Sequence, residues 1–164
     1  MLEVGGGVGA FQVELLRAGA SWATSVEVTD THEAAAAQLL AEMGLSDRVE
    51  RRVHDFARAA GEVPEADIVV LNRVVCCYPD MPLLVGAAAG HTRGLLALSF
   101  PNSRWTTRLG LAAGNLILRV TRVQFHVFAH SPARILEIAA AQGLVTVEDR
   151  RGLFWEVAVL ERAA

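Results

Sequence analysis

The cluster Gly5-Gly6-Gly7-Val8-Gly9 lies between a short apolar run, Leu2 to Val4, and a helical stretch, Ala10 to Ala18. Glycines placed this way let the chain turn tightly and let a ligand approach main-chain N–H groups at a helix N-terminus. Glu27 follows 18 residues after Gly9, at the end of the next strand candidate. A carboxylate there accepts both hydroxyls of a ribose. Loop, helix and acid together predict a nucleoside site. Gly5-x-Gly7-x-x-Ala10 also satisfies the dinucleotide fingerprint, which keeps a nicotinamide-dependent oxidoreductase open. A second chemistry-bearing stretch is Asn72-Arg73-Val74-Val75-Cys76-Cys77-Tyr78-Pro79-Asp80. In an open α/β sheet, ligands bind beyond the carboxyl ends of the strands, so this stretch faces the reacting group. The histidines at 32, 54, 91, 126 and 130 have no ligand spacing with one another or with the cysteines, so no metal site is expected.

These residues need elements to hold them. Thr24–Val28, Val49–Val53, Asp67–Leu71 and Leu95–Phe100 read as strands, and His32–Met43, Met81–Gly90, Arg104–Val120 and Ala133–Gln142 as helices. In the first helix, Phe11, Leu15 and Ala18 mark the apolar face. Strands alternating with helices imply an α/β fold: a Rossmann-like, doubly wound and mostly parallel sheet. The last two strands, Val145–Asp149 and Leu153–Glu161, are joined by a turn too short for a parallel crossover, so they form a C-terminal antiparallel pair. The 164 residues make one domain. An apolar fraction of 52% with a net charge of −3 excludes disorder and leaves no basic footprint, so no nucleic-acid partner is expected. Cys76 and Cys77 are adjacent, with no other cysteine to pair with, so both are read as thiols and the chain as cytoplasmic. The start shows no signal-peptide pattern, and Leu109–Leu118 falls well short of the ~20 apolar residues that span a bilayer, so no integral membrane segment is expected.

Glu3-x-Gly5-x-Gly7-x-Gly9 resembles the loop of class I S-adenosylmethionine-dependent methyltransferases. Glu27-Val28 resembles that family's ribose-binding acid and the apolar residue beside the adenine. His54-Asp55-Phe56 resembles its third-strand motif, in which an aspartate meets the adenine amino group. The resemblance covers essentially the whole chain. It implies S-adenosyl-L-methionine as cofactor, held by Glu3, Gly5, Gly6, Gly7, Gly9, Glu27, Val28, Asp55, Phe56 and Asn72, with Glu3 set against its aminoacyl end. Tyr78-Pro79-Asp80 and Leu98-Ser99-Phe100-Pro101 resemble the magnesium protoporphyrin O-methyltransferase neighbourhood, which methylates a carboxylate, although Cys77 stands where those enzymes can carry a histidine. The implied activity is O-methylation of a small-molecule acceptor, with Tyr78 and His130 as candidate catalytic bases. A cofactor-binding module without turnover is the alternative. Residues 101–130 are expected to be an inserted helix and substrate-side loop. Members of the family usually place helices ahead of the glycine strand, where this sequence has only Met1 to Val4. The expectation is that Arg104–Val120 folds over the crevice with Trp105, Leu109, Leu111, Leu116, Ile117 and Leu118, or else that exposed apolar surface favours a homodimer and weak cofactor affinity.

Overall fold

A computed structural model describes residues 1–163. Seven strands form one sheet in the order β3-β2-β1-β4-β5-β7-β6. They are β1 (Leu2–Val4), β2 (Ala23–Glu27), β3 (Val49–Val53), β4 (Ala66–Asn72), β5 (Thr92–Pro101), β6 (Leu144–Arg151) and β7 (Trp155–Arg162). The first five strands run parallel. Strand β7 enters antiparallel between β5 and β6. The sheet is therefore Rossmann-like with a reversed C-terminal hairpin, as the alternation and the short last turn require. Six helices flank it: α1 (Ala10–Arg17), α2 (Glu33–Glu42), α3 (Phe56–Ala59), α4 (Met81–Gly90), α5 (Trp105–Val120) and α6 (Pro132–Ala141). Among the described residues, no helix is long and apolar enough to cross a membrane.

Burial divides the core by strand parity. Leu2, Val4, Val26, Val69 and Leu71 pack with Leu84, Val85, Ile135 and Ala139 of α4 and α6. On the opposite face, Val13 and Leu16 of α1 meet Ala23, Leu40 and Leu45. Glu3 lies between Leu2 and Val4, so its side chain points to the α1 face.

Helix α1 buries Gln12, Val13 and Leu16, while Phe11 is 48% exposed and Ala18 is exposed. The expected face was thus turned by about one residue, or 100°. Two apolar stripes overlap in this helix, and the true one includes a polar glutamine that periodicity passes over. Helix α5 does not fold its apolar side chains over the crevice, the first of its two expected dispositions, and leaves most of them exposed. Only Thr107 and Leu111 are buried on it, and Trp105, Leu109, Leu116, Ile117 and Val120 are exposed. The chain reaches the crevice after the helix, through Gln124 and Phe125. On the sheet, Leu95, Val145, Val147 and Val157 are also exposed.

Two side chains fasten the C-terminal half. Asn102 is buried, and its Nδ2 donates to the carbonyls of Gly152 and Leu153, which shapes the β6–β7 turn. The Arg162 guanidinium donates to Thr92 O at 3.0 Å through Nε, to Ala89 O at 2.7 Å through Nη2, and to Gln142 O through Nη1. It thereby joins the ends of α4 and α6 to the start of β5. Hydrogen bonds from charged donors contribute about 1.5–3 kcal/mol each and do not add fully when they share one group. Arg162→Ala is expected to cost about 3 kcal/mol in urea unfolding, with the carboxyl ends of β1 to β4 unchanged.

Candidate active site

At the carboxyl ends of β1, β2, β3 and β4 lies a cleft of about 610 Å³. Its wall includes Gly5, Gly7, Glu27, Val28, His32, His54, Asp55, Phe56, Cys77 and Tyr78. The sequence motifs from four separate strand ends therefore meet in one space.

The glycine loop is built over a buried acid. Glu3 is 1% exposed, and its Oε2 accepts the Gln12 main-chain N–H at 3.2 Å. Helix α1 is preceded by Gly9, which has no side chain to cap it. The carboxylate of β1 thus serves one of the free N–H groups in the first turn, where the helix dipole also favours negative charge. Glu3 is not in the wall of the cleft. Enclosed between β1 and α1, this side chain holds the loop from beneath.

Gly6 and Gly9 likewise lie outside the wall. A Cβ on Gly6 would stand 2.2 Å from the Glu3 carboxyl carbon, and one on Gly9 would stand 1.9 Å from Gln12 Nε2. These two glycines make room for side chains of their own chain. Gly7 differs: its φ is +63°, and the nearest atom to a Cβ there is His32 Cδ2 at 3.7 Å, so its outer side is open.

Gly7 is held through both of its main-chain polar groups. Its N–H donates to Glu27 Oε1 at 2.6 Å. Its carbonyl accepts from Arg51 Nη2 at 3.0 Å, and Arg51 is itself paired with Glu33 at 2.7 Å and bonded to Ser25 Oγ at 3.2 Å. Arg51 gave no signal in the sequence beyond being a charge on a weak strand. Burial raises the Glu27 carboxyl above its usual range, partly offset by the Gly7 N–H and then by Arg51. Val28 is 61% exposed in the wall, so it belongs to the cleft rather than the core.

Asp55 is engaged on every side. Its Oδ1 caps α3 by accepting from Ala57 N at 3.1 Å, and Arg58 Nε lies 3.4 Å from Oδ2. The Tyr78 hydroxyl donates to the same carboxylate, 3.0 Å from Oδ1 and 2.9 Å from Oδ2. Burial and this hydrogen bond raise the Tyr78 phenol above its usual value. His54 also lines the cleft, and its Nε2 is buried with no partner among the described residues.

Two further expected residues stand away from the wall. Asn72 Oδ1 accepts from Ser99 Oγ at 2.7 Å, which ties β4 to β5. His130 stacks on Phe128 with ring centroids 5.5 Å apart, and its Nε2 lies 3.0 Å from the Tyr78 carbonyl. A carbonyl only accepts, so Nε2 carries the hydrogen of that bond. The segment between α5 and α6 is pinned by Phe128 N to Cys76 O at 2.7 Å and by Asn115 to Val127. No group of three or more His, Cys, Asp or Glu is placed to hold a metal ion among the described residues.

The strand order, the reversed hairpin and the site at the parallel strand ends can now be compared with known proteins. Magnesium protoporphyrin IX methyltransferase from Synechocystis PCC 6803, crystallised with bound SAH, superposes with a TM-score of 0.78 over 99% of this chain and 73% of its own, at 18% identity. The fold is that of the class I methyltransferases. An O-methyltransferase family protein from Burkholderia thailandensis shares this methyltransferase fold with a TM-score of 0.80 and 21% identity, over 99% of this chain and 50% of its own. The cyclase SpnF shares it as well, with a TM-score of 0.71 and 14% identity, over 99% of this chain and 74% of its own. The chain thus spans half to about three quarters of the length of these neighbours. No family model matches the chain, and no curated protein matches it.

Burial moves the Glu3 carboxyl from its usual 4.5 up to about 7, offset in part by the Gln12 N–H. Between those values the folded chain keeps a proton that the unfolded chain gives up, so stability falls as pH rises through the window and levels off above it. The displacement is worth about 3 kcal/mol. Glu3→Gln keeps an acceptor for Gln12 N without the charge. Urea unfolding should therefore show the wild type losing about 3 kcal/mol relative to Glu3→Gln between pH 4.5 and 8.

Proposed function

We propose that the chain binds S-adenosyl-L-methionine in this cleft and transfers its methyl group to an oxygen of a small-molecule acceptor. The convergence of Gly7, Glu27 and Asp55 from three neighbouring strand ends onto one 610 Å³ space carries the reading. The cleft fits such a group in size, since small-molecule sites run to roughly 300–1,000 Å³. It fits in chemistry too: Glu27 offers a second carboxylate oxygen for ribose hydroxyls, His54 Nε2 is unpartnered, and Val28, Phe56 and Leu84 supply apolar wall for a base. When bound, the cofactor supplies an electrophilic methyl on a sulfonium. The fold neighbours include a cyclase, so the activity rests on the site rather than on the fold.

The side chains nearest the acceptor end favour an acceptor that arrives deprotonated. Tyr78 O–H is donated to Asp55, and a phenol whose pKa is raised is a poor base at neutral pH. His130 is committed through Nε2 to the Tyr78 carbonyl and lies behind the wall. A carboxylate needs no base, so positioning and exclusion of water are the remaining tasks. Gln124 and Phe125, carried in by residues 121–131, are the substrate-side wall in this reading.

Glu27→Ala should weaken S-adenosylhomocysteine binding by about 1.5–3 kcal/mol, read by isothermal titration. Unchanged affinity removes Glu27 from the site, and tight NADH binding by the wild type replaces the reading with an oxidoreductase. A methyl-transfer screen that includes porphyrin carboxylates identifies the acceptor. With a carboxylate acceptor, Tyr78→Phe should lower kcat less than about tenfold, against the roughly 10²–10⁴-fold cost of removing a general base.

A further inference from the structure

Cys76 and Cys77 have no part in the chemistry above. Both lie in the 3₁₀ turn Val75–Cys77, which the chain enters through Arg73 in a left-handed conformation, φ +59°. The Arg73 carbonyl lies 3.5 Å from Cys76 Sγ and 3.5 Å from Cys77 Sγ. The two sulfurs are 3.7 Å apart. Cys76 is buried, while Cys77 is exposed in the wall of the cleft beside Val74 and Tyr78.

This spacing disfavours one use of the pair and suits another. A disulfide needs its sulfurs at about 2.05 Å and its Cα atoms beyond about 4.4 Å, whereas adjacent Cα atoms are held about 3.8 Å apart. Two thiolates on one pyramidal trivalent arsenic, each at about 2.3 Å and about 95° apart, stand about 3.4 Å from one another. The 3.7 Å gap between the free thiols closes to that bite with a small side-chain rotation. We propose that Cys76 and Cys77 form a bidentate site, open to the cleft, for a soft thiophilic centre with two free valences, such as a monosubstituted trivalent arsenical.

The absence of a third nearby ligand selects among such centres. No cluster of three or more His, Cys, Asp or Glu stands ready for a metal among the described residues. A centre that brings its own carbon substituent needs only the two sulfurs. In the reaction of an arsine oxide with the pair, two As–S bonds form and both bonds to the arsenic-bound oxygen break. The two thiol protons leave on that oxygen as one water, and arsenic stays trivalent. The contact with Cys76 lowers the Cys77 thiol, which with its exposure in the cleft wall favours it as first attacker. Burial and the same contact push the Cys76 thiol up, so it follows as the second, intramolecular step. The substituent then projects from Cys77 toward Tyr78 and Phe125, inside the space assigned to the cofactor and acceptor. That last consequence rests on the proposed function; the chelation does not.

Phenylarsine oxide titrated into the full chain tests both parts. Intact mass should show one phenylarsenic per chain with loss of one water, removed by 2,3-dimercaptopropanol but not by 2-mercaptoethanol at equal thiol concentration. Cys77→Ser, a change at an exposed position, should weaken retention by about 100-fold or more, because the second bond then loses its intramolecular advantage. Cys76→Ala should do the same, and circular dichroism checks its folding; Cys77→Ser alone decides if that variant unfolds. Equal retention by Cys77→Ser, or two arsenicals per chain each released by the monothiol, would overturn the site. The bound arsenical should lower S-adenosylhomocysteine affinity at least tenfold in the wild type. Chelation without that loss overturns the link to the cleft alone. Chelation in a chain that never binds S-adenosylhomocysteine overturns the proposed function alone.

Discussion

A carboxylate enclosed between β1 and α1 sets the geometry on which the rest of the site depends. Glu3 stands beneath the glycine loop and accepts the Gln12 N–H, so the start of α1 is fixed to β1 by a side chain and not by a cap of its own. Its carboxyl carbon occupies the place a Cβ at Gly6 would need. With the loop seated this way, Gly7 turns its N–H to Glu27 and its carbonyl to Arg51. An unpaired buried charge is expensive, and this one is relieved by holding a proton near neutral pH as well as by its hydrogen bond. The glycine loop is thus a layered object, with Glu3 and Gln12 below, the glycines between, and Glu27 and Arg51 clamping Gly7 at the cleft.

The rim beyond that loop is built differently. There the polar side chains satisfy one another: Tyr78 with Asp55, Asn72 with Ser99, His130 with the Tyr78 carbonyl. Such a rim positions and encloses more readily than it exchanges protons. The segment after α5, held by Asn115 and by the Cys76 carbonyl, closes it on the outer side. Helix α5 contributes by delivering that segment, and its own apolar side chains lie outward.

Much of this was legible in the residues. Strand runs rich in β-branched residues, glycine stops and the short 150–152 turn foretold both the parallel sheet and its reversed hairpin. Glu27 was named by its place at a strand end after the glycine loop, and Asp55 by the resemblance of His54-Asp55-Phe56 to a third-strand motif; both stand in the wall of the cleft. What was hidden is hidden for physical reasons. Arg51 acts across 44 residues on Gly7, and no local pattern marks a guanidinium that braces a distant carbonyl. Gln12 is polar yet fully buried, so hydrophobic periodicity assigned the α1 face to its neighbours. Gly6 and Gly9 look like ligand-facing glycines in sequence, because a missing side chain cannot say whether a ligand or the protein's own chain fills the room. Asp55 caps α3 and receives Tyr78 at once, and a spacing argument names the residue without naming which partner it already has.

The shared carboxylate at Asp55 makes the two halves of the cleft thermodynamically dependent on each other. A carboxylate offers about four acceptor positions, and here the α3 amide, the Tyr78 hydroxyl and Arg58 draw on them together. A donor arriving at Asp55 from the third-strand side competes with the phenol, and a displaced phenol is free to turn toward the fourth-strand loop. Linkage makes this reciprocal: a molecule that binds better to the released tyrosine strengthens the incoming donor's binding by the same factor, and one that needs the tyrosine held weakens it equally. One hydrogen-bonded oxygen pair can therefore couple binding at the third-strand side to binding at the fourth-strand side.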